Sequence, residues 1–170
     1  MKRYFFTDGS CKGNPGPGGY GIVEILSNKH PLDLQPGDLY YIGVTGKGYF
    51  SKTTNNRMEM LAILNVLRIA YAHPEDEFIV YTDSAYCAGM VNTWIQNWAY
   101  NDWKNSKGVD VKNKDLVLKI WEYIENPFFS NVTVVRIKGH DNILGNELAD
   151  RLATNSMEEF DELLEKYRSK

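Results

Sequence analysis

Four carboxylates in this 170-residue chain, Asp8, Glu59, Asp83 and Asp150, sit where a plainly solvated acid is not the only reading. Glu59 is the most informative. At about 100° per residue, a helix beginning near Asn56 puts Ile63, Val66 and Ala70 within about 40° of Glu59, with Arg57 and Arg68 on the far side. The glutamate therefore points with the apolar stripe. A carboxylate kept there costs several kcal/mol unless it is protonated or meets a cation. The competing reading is a capping box, with Asn56 as the cap and Glu59 folding back on it. Asp8 follows the aromatic run Arg3-Tyr4-Phe5-Phe6-Thr7, and is either half of an Asp-Gly turn or a carboxylate at a strand exit. Asp83 follows Phe78-Ile79-Val80-Tyr81-Thr82 and is either the N-cap of the next helix or a second strand-exit acid, the place where open α/β sheets bind ligands. Asp150 lies at the edge of the stripe Ala149, Leu152, Ala153 and Met157. His140 opens a loop, Lys138-Gly139-His140-Asp141-Asn142, and is a surface residue or a proton-handling one.

The elements that would position these groups can be read from periodicity and breakers. Residues 3–7 form a buried strand that stops at Asp8-Gly9. A glycine-rich loop over 12–19 leads to a second strand, Tyr20 to Leu26, in an antiparallel hairpin. Residues 28–47 hold an extended excursion between strands two and three, and the third strand falls within Tyr40 to Phe50. A helix runs from Asn56 to Tyr71, stopped before Pro74, and residues 78–82 make a central strand. Helices follow over 84–91 and 92–100, a polar loop covers 101–112, and a helix spans Asp115 to Glu125. The strand Val132 to Ile137 and one last helix, Asn146 to Tyr167, complete the order βββαβααβα, a mixed α/β sheet with flanking helices.

The bulk numbers suit one domain over residues 1–170, with a hydrophobic share of 43%. No stretch approaches the roughly 18 apolar residues of a membrane span, and the N-terminus lacks a signal-type apolar region. Two cysteines, Cys11 and Cys87, supply neither a disulfide framework nor a zinc site. A cytoplasmic protein without membrane contact is expected. The net charge of −3 excludes nucleic-acid binding through overall positive charge, so any such contact must be local. Residues 1–140 carry 15 basic and 14 acidic groups, whereas 141–170 carry 4 and 8. The one local positive stretch has five lysines between Lys104 and Lys119.

Taken in order, four blocks of the chain resemble the type 1 ribonuclease H family. They are Thr7-Asp8-Gly9-Ser10-Cys11 with Gly13 to Gly21, then Thr53-Thr54-Asn55-Asn56-Arg57-Met58-Glu59, then Tyr81-Thr82-Asp83-Ser84, and last Val135 to His140 with Gly145-Asn146-Glu147-Leu148-Ala149-Asp150. The resemblance implies a ribonuclease H-like mixed five-stranded sheet, three antiparallel strands then two parallel, flanked by helices. It implies that Asp8, Glu59, Asp83 and Asp150 are both catalytic and metal ligands, with Asp8 the bridge, and that His140 assists. Such oxygen ligands suit two Mg²⁺ ions, with Mn²⁺ as a substitute, and a pair of ions about 4 Å apart can clamp an in-line phosphoryl displacement.

The family cuts the RNA strand of an RNA–DNA hybrid, leaving 5′-phosphate and 3′-hydroxyl ends. By the same resemblance Cys11 and Asn14 would sense 2′-hydroxyls, Thr54 and Asn55 would hold the DNA strand, and Trp94 and Trp98 would belong to a gripping protrusion over 92–114. This chain departs from the pattern in that protrusion. Ala99-Tyr100-Asn101-Asp102 stands where members often carry basic residues, and Trp94 with Trp98 could be ordinary i, i+4 packing. Ala85 replaces a common glutamine. A monomer is expected. The alternatives are a structure-specific nuclease on a related fold and an inactive nucleic-acid-binding module, the second disfavoured by the presence of all four carboxylates.

Overall fold

The computed structural model describes residues 1–139 and 141–168. Its centre is the aromatic run near the N-terminus, which becomes strand β1 (Lys2–Cys11). Side chains alternate across a strand, so Phe5 and Phe6 face opposite ways, and both are fully buried. Phe5 joins one core with Ile22, Phe78, Val80, Leu64 and Val117. Phe6 joins the other with Val23, Tyr81, Leu148 and Phe160. A sheet buried on both faces accounts for the unbroken apolar runs that mark these strands.

The sheet has five strands in the order β3-β2-β1-β4-β5. Strand β2 (Gly16–Ser27) pairs antiparallel with β1, and β3 (Tyr40–Thr53) pairs antiparallel with β2. Strand β4 (Glu77–Thr82) runs parallel to β1, and β5 (Val132–Arg136) parallel to β4. The expected mixed sheet, three antiparallel strands then two parallel, is the one observed. Helix α1 (Asn55–Tyr71) and α4 (Lys114–Ile124) cover one face, while α5 (Leu144–Ala153) and α6 (Met157–Arg168) cover the other. Between β4 and α4 the chain winds through α2 (Ala85–Gly89), one π-helical turn (Met90–Trp94) and α3 (Ile95–Tyr100).

Four sequence expectations change, the first being that β2 begins at Gly16 rather than Tyr20, inside the glycine-rich segment read as a loop. Strand β1 does not stop at Asp8-Gly9: Asp8 lies opposite Gly21 and pairing continues to Cys11 opposite Gly18. The long partner β2 keeps offering backbone groups after β4 has ended, so the strand outruns its apolar segment. The excursion between the second and third strands closes by residue 39, because Tyr40 onward already pairs with β2, and its only helical turn is Pro31–Asp33. The last helix is two. Asn155 takes a left-handed backbone (φ 57), and the Ser156 N–H donates to the Arg151 carbonyl at 2.8 Å, which ends α5 and turns the chain into α6.

Candidate active site

The parallel pairing of β1 with β4 is what brings the first two acids together. Thr7 lies opposite Thr82, so Asp8 and Asp83 are the next residues on adjacent strands at the same end of the sheet. Asp83 is not the helix cap, since Ser84 takes that role and accepts from the Cys87 N–H at 3.0 Å. Glu59 comes from the other direction, on the first turns of α1. That helix is capped by Thr54, whose hydroxyl accepts from the Arg57 N–H at 3.2 Å, and Asn56 is already inside it. The capping-box reading of Glu59 therefore falls, and the glutamate, 3% exposed, faces inward as its place on the wheel requires.

Close approach of α1 to β1 depends on Gly9. A β-carbon there would run into the Glu59 backbone nitrogen and come within 2.7 Å of the Met58 carbonyl carbon. On the other face Gly21 gives α5 the same access, since a β-carbon would strike Leu152 and lie 2.7 Å from the Ala149 carbonyl oxygen. Gly9 thus lets the helix carrying Glu59 settle against β1 beside Asp8, and Gly21 lets the helix carrying Asp150 settle against β2 at the residue paired with Asp8.

The result is a cluster in which oxygens of Asp8, Glu59 and Asp83 lie within 4.8 Å of one another. Burial first, then the nearby carboxylates Glu59, Asp83 and Asp150, push the Asp8 acid far above its usual range. Burial likewise pushes Glu59 up, against a lowering hydrogen bond from Asp8. One Glu59 oxygen, Oε2, is buried without a hydrogen-bond partner. A buried acceptor of that kind beside two more acids wants a cation, and a set made only of carboxylate oxygens fits a hard divalent ion. Asp150 stands outside this cluster but lines the same open cleft of about 560 Å³, together with Ser10, Asn55, Asn146, Glu147 and Arg151.

A pH prediction follows from the raised acids. A carboxylate whose folded pKa exceeds its unfolded one binds more protons in the folded state, so cation-free protein loses stability as pH rises through the ordinary carboxylate values of 3.8 and 4.5 toward neutrality. Divalent cation, which binds the ionised form, should raise the melting temperature clearly at pH 7.5 and little at pH 5. Differential scanning calorimetry with and without MgCl₂ checks this, and an equal rise at both values would contradict it.

The residues expected to touch substrate divide into two groups. Cys11, Asn14, Thr54 and Asn55 gather where the β1–β2 loop meets the start of α1. The Asn14 side-chain oxygen accepts from the Asn55 N–H at 2.8 Å, and the Cys11 thiol is turned inward, 3.2 Å from the Thr53 carbonyl oxygen. Trp94 and Trp98 lie elsewhere and do not line the cleft. Their ring centroids are 6.3 Å apart, Trp94 is 40% exposed and stacks over Gly89, and Trp98 packs against the larger core. Trp98 is therefore largely a packing residue. Two of the five lysines nearby are tied down, Lys104 at 2.9 Å and Lys114 at 3.8 Å from Asp110. His140 lies outside the described residues, although Gly139 before it would place a β-carbon 3.3 Å from Asp83 Oδ2.

Sequence reasoning passed over four cleft residues: Ser10, Asn146, Glu147 and Arg151. Asn146 and Glu147 were reachable, being four and three residues before Asp150 on one helix and hence on its side. Arg151 carries no such signal.

Comparison with known proteins agrees with this geometry. A ribonuclease H from Francisella tularensis subsp. novicida is 38% identical over 157 residues, covering 91% of this chain and 90% of the relative. One from Treponema pallidum subsp. pallidum is 37% identical over 152 residues, covering 89% and 88%. Among solved structures, LC9-RNase H1, a type 1 RNase H with the type 2 active-site motif, superposes with a TM-score of 0.69 at 26% identity, over 91% of this chain and 71% of its own. Since the RNase H family model also matches residues 1–158, the chain belongs to the RNase H family.

Proposed function

We propose that this chain is an endoribonuclease that hydrolyses the RNA strand of RNA–DNA hybrids, with Asp8, Glu59, Asp83 and Asp150 as the groups that hold its divalent metal. The observation that carries the reading is the trio of buried Asp8 and Glu59 with half-buried Asp83, with its oxygens inside 4.8 Å, lining an open cleft. Relatives named ribonuclease H along nearly their whole length support the substrate class.

Two Mg²⁺ ions, or Mn²⁺ in their place, would supply Lewis acidity, an activated water and charge neutralisation at the leaving oxygen. The protein's own part is to hold and orient. Asp8, fixed in the sheet centre with one oxygen accepting from the Gly9 N–H at 2.9 Å, offers the most rigid ligand and suits the shared position. With its side-chain oxygen occupied by Asn55, Asn14 presents its NH₂ as a donor, which suits the 2′-hydroxyl that separates RNA from DNA. Cys11 contributes through backbone, its thiol being committed inward. Thr54 and Asn55 at the helix start suit a phosphate of the DNA strand. Trp94 offers an exposed ring to the same strand, with Trp98 behind it. His140 takes the proton-handling role that an imidazole can fill near neutrality. The enzyme acts as a monomer in the cytoplasm, a setting its two free cysteines suit. No helix among the described residues is long and apolar enough to cross a membrane.

Purified protein with MgCl₂ should cut the RNA of a labelled hybrid, leaving 5′-phosphate ends, and spare matched RNA and DNA duplexes. Equal cutting of duplex DNA would point instead to a structure-specific nuclease on this fold, and binding without cutting to an inactive module.

A further inference from the structure

Asp150 is the one acid of the four outside the close trio, although it lines the same cleft, and it is ion-paired with its chain neighbour. Arg151 Nη1 donates to Asp150 Oδ2 at 3.2 Å. The same guanidinium reaches across to α6, where its Nε lies 3.5 Å from Glu159 Oε2. Arg151 thus lies between two carboxylates, hydrogen-bonded to the one lining the cleft and only ion-paired with the one outside it. Its side chain is 27% exposed, against 46% for Asp150 and 65% for Glu159, so the guanidinium is the most sheltered member of the three.

This arrangement has a consequence for metal binding. A divalent ion that recruits Asp150 shares the carboxylate with Arg151, so the ion and the guanidinium draw on the charge of one ligand. Glu159 acts in the opposite sense, because it shares the guanidinium and weakens its hold on Asp150. Arg151 also lowers the negative charge summed over the cleft, which further weakens attraction for a cation.

We propose that Arg151, ion-paired to Asp150 beside the three-carboxylate cluster, sets through its charge the concentration of divalent cation at which the site fills, with Glu159 as its counterweight. The inference rests on the proposed metal-dependent nuclease reading. It concerns only the affinity for cation, not the chemistry.

The test is a titration of the full chain with CaCl₂ and with MgCl₂ by isothermal calorimetry, paired with the MgCl₂ dependence of hybrid cleavage. For R151Q the half-saturating cation should fall by about two- to fivefold, the scale of a partly exposed ion pair. E159Q should move the other way, toward a higher half-saturating concentration. R151K, which keeps the charge, should stay near the parent protein. Glu159 is largely exposed, so its variant folds and remains informative even if R151Q does not. An unchanged or raised half-saturation in R151Q, or a fall in E159Q, overturns the proposal. Failure of the parent protein to bind either cation would overturn the nuclease reading itself, and is distinguishable from both.

Discussion

Asp8→Asn is expected to reduce hybrid cleavage by more than about a thousandfold, the scale on which enzymes lose turnover when a central catalytic group is removed. The substitution takes away one charge and almost no volume, so the fold should persist. Cation-free Asp8→Asn should in fact melt at a higher temperature than the parent. Burial and three neighbouring carboxylates already disfavour the ionised Asp8, and an amide is not subject to that penalty. The same variant should lose most of the stabilisation that MgCl₂ gives the parent at pH 7.5. Activity near the parent level would remove Asp8 from the centre of the site. A large fall in melting temperature would instead show that its carboxylate is needed for the fold.

Gly9→Ala should damage both stability and activity, by a purely steric route. The α1 backbone passes so close to β1 that the new methyl would meet the Glu59 nitrogen, the Met58 carbonyl carbon at 2.7 Å and the Met58 β-carbon at 2.8 Å. Those atoms are backbone or lie next to it, and they cannot swing aside. Overpacking of this kind typically costs about 1–3 kcal/mol, and relief requires α1 to move off the sheet. Such a movement carries Glu59 away from Asp8 and opens the cluster. A loss of activity beyond the loss of folded protein is the expected result, read by comparing urea midpoints with kcat. Gly43→Ala provides the contrast, because nothing lies within 4 Å of a β-carbon there, and it should be silent in both measurements. If Gly9→Ala proved equally silent, the close approach of helix to strand would not be what spaces the carboxylates.

The strands of the sheet were legible in the chain because burial leaves a direct trace, whereas their full set of directions came with the resemblance to a family. Phe5, Phe6, Phe78 and Val80 are apolar since both faces of the sheet are covered, and turns at glycine and proline separate the runs. Glu59 was legible for a related reason. Helical periodicity fixes which way a side chain points, and a carboxylate among Ile63, Val66 and Ala70 is conspicuous without any partner in view. The ends of elements were less legible. The apolar run of β1 ends at Phe6, but hydrogen bonding to β2 carries the strand on to Cys11, and no residue type announces a backbone pairing made with a distant segment. The break between α5 and α6 had a local signal in Thr154-Asn155-Ser156, yet it was masked by apolar periodicity that continues on both sides.

The sequence by itself determined the α/β layering, the inward glutamate and, through its resemblance to a family, the identity of the acids. Only the tertiary structure decided how they meet. The register that sets Thr7 opposite Thr82 aligns Asp8 with Asp83, the clearance at Gly9 admits Glu59, and the clearance at Gly21 lets α5 bring Asp150 to the same cleft. Each of these is a relation between segments tens of residues apart. Local propensity and periodicity record which face a residue takes, but distances between faces are fixed only when the whole sheet and its helices pack together.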